Sequence, residues 1–254
     1  MDPWNPSQYE RFRAERRQPF DDLLALVERR PLLRVVDLGC GTGEATRDLH
    51  RALQAASTLG LDRSARMLQR ARAFEEPGLT FVEQDIGALP ADARFDLIFS
   101  NAALQWLPDH PALIARLTHA VAENGQLAFQ VPASGHPARR VAADVAATEP
   151  FRSALGGWTR QDPVLAPEEY ARLLHRLGYR RQHVRLQIYP HILPDRDAVL
   201  EWVKGTLLTA YEERLAADLY PAFLDAYRAR LLDELEDARP FFYPFARILC
   251  WAGR

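Results

Sequence analysis

The stretch Leu33-Arg-Val-Val-Asp-Leu-Gly-Cys-Gly-Thr-Gly-Glu44 constrains this chain more than any other. Leu33 to Leu38 is an apolar, β-branched run broken only by Arg34 and Asp37, the pattern of a strand buried in a parallel sheet. Gly39, Gly41 and Gly43 follow at alternate positions, where they permit positive φ and let a ligand lie against bare backbone. Glu44 to Leu53 reads as a helix that starts near Thr42 or Gly43. Strand, glycine-rich turn and helix N-terminus together make a nucleotide-binding element. The alternative is a glycine-rich packing turn with no ligand. The dinucleotide fingerprint G-x-G-x-x-G/A fails, because Gly39 and Gly41 fit its first two positions and the third falls on Glu44. The phosphate-loop pattern G-x-x-x-x-G-K-[ST] does not occur.

More strand and helix units follow. Ala55 to Leu61 reads as a second strand that ends in Asp62, where an acidic side chain can accept from both hydroxyls of a ribose. Ser64 is placed to cap the next helix, to Phe74, so Asp62 is not needed as its cap. Leu79 to Val82 reads as a third strand, followed by Glu83-Gln-Asp85-Ile86. Phe95 to Ser100 reads as a fourth, ending in Asn101-Ala-Ala-Leu-Gln105-Trp106, and strand C-termini carry the chemistry in open α/β sheets. A helix over Pro111 to Val121, a turn at Asn124-Gly125 and a fifth strand over Gln126 to Val131 complete the run. This alternation over 33–131 predicts a doubly wound α/β sheet.

The wording Asp37-Leu-Gly-Cys-Gly-Thr-Gly43 resembles the first motif of the Rossmann-like, class I S-adenosylmethionine methyltransferases. The resemblance implies a seven-stranded sheet; the excursion over 132–167 reads as an α-helical cap, and the position and aromatic content of the N-terminal segment suggest a helical lid. The chemistry agrees: S-adenosylmethionine has no phosphate to cradle, and its ammonium and sulfonium favour acidic and carbonyl surroundings. Carried onto this chain, the family pattern puts Asp37, Gly39, Gly41 and Gly43 at the cofactor turn and Asp62 on the ribose. Arg63 and Met67 follow in Asp62-Arg63-Ser-Ala-Arg-Met67-Leu, where Met67 either touches adenine or packs in the core. Asp85 would accept from the adenine amine and Ile86 would flank the ring. Asn101 would stand beside the reacting methyl, with Gln105 and Trp106 positioning the acceptor. For His110, alone on the same loop, a structural hydrogen bond is the default reading.

Composition narrows the partners. The 254 residues are 48% hydrophobic with a formal net charge of -2, so no strong basic field exists for nucleic acid or an anionic membrane. Two distant cysteines, Cys40 and Cys250, make no disulfide framework and suit a reducing, cytoplasmic compartment. The first 30 residues carry charges throughout, unlike a signal peptide, and no apolar run is long enough to span a membrane. The seven histidines show no metal-ligand spacing, and no G-x-S-x-G element supports nucleophilic hydrolysis.

The rest reads as one domain: an N-terminal helical segment over 1–30, the cofactor half over 31–131, a cap and substrate side over 132–240, and a final strand over 241–254. Ser7 and Glu10 form a capping box, and Pro19 starts a second helix, Phe20 to Arg29. Pro132 to Pro167 breaks the rhythm with an Ala-rich helix near Arg139 to Thr148. A helix over Glu168 to Leu177 closes at Gly178, and a sixth strand spans Arg180 to Tyr189. Asp195 to Lys204 begins a helix, and Tyr211 to Glu236 reads as a long amphipathic one. Phe241 to Trp251 is the last strand, with Pro244 at an edge or bulge.

Several pieces resemble one subfamily, the trans-aconitate 2-methyltransferases: Asp2-Pro-Trp4-Asn-Pro-Ser-Gln-Tyr9, Arg16-Arg-Gln-Pro19, Asn101 to His110, Leu127 to Pro132, Glu201 to Thr206 and Tyr243-Pro-Phe-Ala-Arg247. The approach Glu236-Asp-Ala-Arg239-Pro-Phe departs from the family's glycine-containing pattern. This resemblance implies monomethyl esterification of a small polycarboxylic acid, anchored by Arg16, Lys204 and Arg247. A carboxylate is already ionised at neutral pH, so no general base and no metal is required. The rival readings are a methyltransferase for another small or carrier-bound acceptor, a silent methyltransferase fold serving as a binding subunit, and a nicotinamide enzyme. The residues leave the oligomeric state open.

Overall fold

The apolar strands assemble into one seven-stranded sheet, ordered β3-β2-β1-β4-β5-β7-β6. In this computed structural model, which describes residues 13–90, 92–204 and 207–254, the strands are β1 Arg34–Leu38, β2 Ser57–Asp62, β3 Leu79–Glu83, β4 Phe95–Asn101, β5 Val121–Pro132, β6 Arg181–Leu193 and β7 Phe241–Gly253. β1 to β5 run parallel; β7 lies antiparallel between β5 and β6. Val35, Val36 and Leu38 are buried on both faces, which is why β1 is apolar rather than alternating. β1 is flanked by β2 on one side and β4 on the other, so the chain order reverses there. The carboxyl ends of β1 and β4 therefore open the crevice where α/β sheets bind ligands.

The helices are α1 Arg13–Leu24, α2 Glu44–Leu53, α3 Ala65–Ala71, α4 His110–Ala120, α5 Pro137–Ala146, α6 Phe151–Ala154, α7 Pro167–Arg176, α8 Asp197–Lys204, α9 Thr209–Glu212 and α10 Tyr220–Glu234. One face of the sheet buries Phe20 and Leu23 of α1 and Leu49 of α2 against Val35, Phe99, Leu249 and Trp251. The other buries Leu113, Ile114 and Leu117 of α4 and Tyr170 and Leu174 of α7 against Val36, Ile98, Phe129 and Cys250. A third core joins α5, α8 and α10 to Phe241, Tyr243 and Phe245, where β7 enters the sheet. This third core is the cap.

Several boundaries differ from the sequence reading. Pro19 does not start a helix; α1 runs through it and stops at Leu24, because the burial of Phe20 and Leu23 on the sheet outweighs the one hydrogen bond a proline removes. The described part of the N-terminal segment is thus a layer of the sheet packing, and the expected capping box at Ser7 and Glu10 lies outside the described residues. The long helix expected over Tyr211 to Glu236 is two pieces, α9 and α10. Pro221 has no N–H to give and sits in the first turn of α10, where none is needed. Asn124-Gly125 forms an irregularity within β5, across which the register with β4 jumps, rather than a turn before it. Pro244 pairs with Pro190 of β6, beyond the point where β5 ends against Arg247. Its missing N–H therefore faces no third strand.

Candidate functional site

The turn after β1 is shaped by what cannot fit. Gly39 has φ +79, and a Cβ there would fall 2.2 Å from the Ala103 Cβ. Gly41 has φ +56, and among the described residues nothing lies within 4 Å of where its Cβ would stand, so bare backbone faces the crevice. Its N–H donates to Asp62 Oδ2 at 2.9 Å, and the Ser64 N–H donates to Asp62 Oδ1 at 2.9 Å. Two backbone donors thus fix the Asp62 carboxylate at the end of β2. Ser64 caps α3 by accepting from the Met67 N–H. Beyond β3, Asp85 accepts from the Gly87 N–H at 2.7 Å and holds the loop that carries Ile86. Gly39, Gly41, Asp62, Arg63, Met67, Asp85, Ile86 and Asn101 all line one cleft of about 740 Å³. Asp37 and Gly43 do not. Gly43 caps α2 where a Cβ would strike Ala71 and Phe81. Asp37 is buried beneath the turn, where Oδ2 accepts from Thr46 Oγ1 at 2.6 Å and Oδ1 has no partner among the described residues. Burial pushes its carboxyl up to about 7; the Asp62 charge adds to this and the Thr46 hydrogen bond opposes it.

A second cavity of about 820 Å³ lies against the first and shares Asn101, Ala102 and Trp106 with it. Ala102 is held at φ +56, left-handed for a non-glycine residue, with its N–H donated to the Gln130 carbonyl at 3.0 Å. The far walls come from the cap and from β7: Trp202, Tyr243, Phe245, and the cations Arg139, Arg160 and Arg247. Arg247 is buried and donates to Gln130 Oε1 at 2.9 Å. Arg139 is paired with Asp162 at 2.7 Å. Arg160 stacks over Trp106 at 4.3 Å and reaches the carbonyls of Gln105 and Leu207, at 3.4 and 3.5 Å. Among the described residues no carboxylate lies within ion-pair distance of it. Burial, with the nearby Arg139 charge, lowers its pKa to about 10, which leaves it charged and poorly solvated at neutral pH.

His136 lines the same cavity, edge-on to Tyr243 and Phe245. Its Nδ1 accepts from the Ala138 N–H at 3.2 Å, so the neutral ring carries its proton on Nε2. Burial, then Arg139, lowers its pKa to about 4. Gln105 lines the cavity too, its Nε2 donated to the Ala102 carbonyl at 2.7 Å.

Of the three expected anchors, Arg247 is on this wall. Lys204 is not: its Nζ pairs with Glu201 at 2.7 Å on a half-exposed part of α8. Arg16 belongs to α1, and its side chain lies outside the described residues, as do Gly205 and Thr206 of the Glu201 to Thr206 piece. His110 bonds Tyr170 and the Leu104 carbonyl, a structural role. Sequence reasoning missed Arg160, Arg139, Gln130 and His136 as site residues. For His136 a local signal existed, a helix cap directly before Pro137; for Arg160 there was none.

A family profile described as a methyltransferase domain matches residues 35–125. A trans-aconitate 2-methyltransferase of Deinococcus radiodurans is 45% identical over 99% of this chain and 98% of its own length. The chain belongs to the trans-aconitate 2-methyltransferase family. Solved structures agree on the fold. The YcgJ protein of Bacillus subtilis has a TM-score of 0.61 at 14% identity, covering 94% of this chain and 98% of that one. A Haemonchus contortus phosphoethanolamine N-methyltransferase solved with S-adenosyl-L-methionine has a TM-score of 0.56 at 17% identity, covering 94% and 52%.

This methyltransferase uses S-adenosylmethionine, and the cleft suits that molecule. A carboxylate pinned by two backbone donors suits a ribose diol, and a second acidic residue, Asp85, suits an amine. Met67, Ile86 and Leu107 give the apolar flanks an adenine needs. Bare backbone at Gly41, without a row of cations, suits a nucleoside that carries no phosphate.

Proposed function

We propose that this methyltransferase esterifies one carboxylate of trans-aconitate, giving a monomethyl ester and S-adenosylhomocysteine. The observation that carries the reading is Arg160, a half-buried cation with no carboxylate partner among the described residues. It stands with Arg247 in an aromatic cavity that opens onto the cofactor cleft. Such a cavity is suited to a small polyanion.

Gly39, Gly41, Asp62, Met67, Asp85 and Ile86 would hold S-adenosylmethionine, which when bound supplies an electrophilic methyl group on a sulfonium. The acceptor is ionised at neutral pH, so the chain's task is positioning rather than proton transfer. Arg160 and Arg247 offer guanidinium donors to the carboxylates that do not react. Placed on the reacting carboxylate they would weaken it, because its charge falls as the ester forms. His136 offers Nε2–H, and Trp106, Trp202, Tyr243 and Phe245 exclude water. Two buried, unpaired cysteines and the small net charge support a cytoplasmic enzyme acting on a small molecule rather than on nucleic acid.

The test is methyl transfer from labelled S-adenosylmethionine to a panel of small acids, with the product then exposed to alkali. A base-labile product on trans-aconitate is expected. A base-stable product, or no transfer to any acid while S-adenosylhomocysteine still binds, would move the search to phenols, amines and carrier-bound acyl groups. Arg160→Ala should raise the KM for the acid by roughly tenfold or more, the range for a lost charged hydrogen bond, with cofactor affinity unchanged. An unchanged KM removes Arg160 from the site.

A further inference from the structure

We infer that Gln130 is a positioning residue that fixes Asn101 as a hydrogen-bond donor at the junction of the two cavities. The inference rests on the reading above and adds to it a residue and a polarity. Asn101, Gln130 and Arg247 stand on three adjacent strands: Asn101 pairs with Gln130 across β4 and β5, and Arg247 sits on β7 beside the end of β5. Gln130 is fully buried between the other two.

The direction of the chain is set at one end. A guanidinium has donors only, so the Gln130 atom that Arg247 Nη1 meets at 2.9 Å must be the carbonyl oxygen. The opposite end of that amide is then its NH₂, which donates to Asn101 at 2.5 Å. The Asn101 atom that receives it must be Oδ1. Asn101 therefore turns its carbonyl toward β5 and keeps its own NH₂ for the wall shared by the two cavities. Without this relay an asparagine amide can rotate end for end and present either polarity. A carbonyl at this point would repel an acceptor carboxylate. A neutral N–H bonds the oxygen that does not attack and so orients the other, and it withdraws less charge from the attacking carboxylate than a guanidinium would. Gln130 also accepts the Ala102 N–H on its backbone carbonyl, so it steadies both residues at the junction.

The decisive experiment is a double-mutant cycle on the full chain, reading kcat at saturating trans-aconitate. Gln130→Met removes the relay at nearly constant volume. Gln130→Glu keeps a partner for Arg247 but cannot donate to Asn101, so it serves if the first variant folds poorly. Each should lower kcat by roughly tenfold, the scale of one well-placed hydrogen bond, and leave S-adenosylhomocysteine affinity within about twofold. In an Asn101→Ala background the same changes should lower kcat little further, because the residue they act through is gone. Equal losses in both backgrounds, or an unchanged kcat in the single variants, overturn the inference while the substrate assignment stands. A wild-type chain that binds S-adenosylhomocysteine but does not turn over trans-aconitate overturns the substrate assignment, and this inference with it.

Discussion

Asp37 sits under the turn after β1 with one oxygen bonded to Thr46 and the other without a partner among the described residues. Its folded pKa is raised from 3.8 to about 7, so its contribution to stability is full below the unfolded value and is lost as pH rises through the folded one. Asp37→Asn cannot ionise. Its Tm relative to the parent should therefore climb between about pH 4 and pH 7 and level off above; a Tm difference independent of pH would contradict the burial argument. His136 has the opposite sign. Its folded pKa is depressed, so the stability it contributes is present above 6.5 and lost as pH falls toward 4. The KM for the acid should consequently show no inflection from His136 between pH 6 and 8, and an inflection near 6.5 that disappears in His136→Gln would show the ring charging in the site. At this scale the lining of the first cleft was legible in the chain, because Gly39, Gly41, Asp62 and Asp85 follow strand ends at fixed local spacings. Of the second cavity, the loop after β4 marked Asn101, Gln105 and Trp106, and resemblance added Arg247. Arg160 comes from an irregular segment after Gly156-Gly157, and what brings it to Trp106 is cap packing, which no local period records.

Among the elements, the turn between β1 and α2 is the least forgiving. A methyl group at Gly39 meets the Ala103 Cβ at 2.2 Å, and Ala103 belongs to the loop after β4 that forms the junction. Gly39→Ala should therefore abolish cofactor binding or folding. Gly41→Ala meets open space and bears only left-handed backbone strain, about 1–2 kcal/mol. Equal behaviour of the two in S-adenosylhomocysteine titration and thermal melts would count against this account of the turn. Strand and helix order were readable from the alternation of apolar runs. Their ends were less so, as α1 and α10 show: in one a proline is tolerated because the sheet holds the helix, in the other it sets the start.

For the molecule as a whole, β7 joins what the chain order separates. Ile248 and Cys250 lie in the core with Val36 and Leu38, while Tyr243 and Phe245 of the same strand lie in the cap core with Val141 and Trp202. We expect the chain to unfold as one unit, with fluorescence of Trp202 in the cap and Trp251 in the sheet following the same curve as far-ultraviolet circular dichroism. Separate transitions would make the cap an independent module. The same strand also sets an order of assembly during synthesis. The cofactor turn and its partners through Asn101 are complete once β5 has emerged, but β5 must wait for every residue from Ala133 to Pro240 before β7 arrives beside it. A growing chain thus carries the residues of the first cleft long before it holds Arg247 or Tyr243. The part that would choose an acid is made last, so a half-made chain has the residues that would hold a methyl donor and no wall to aim it at an acceptor.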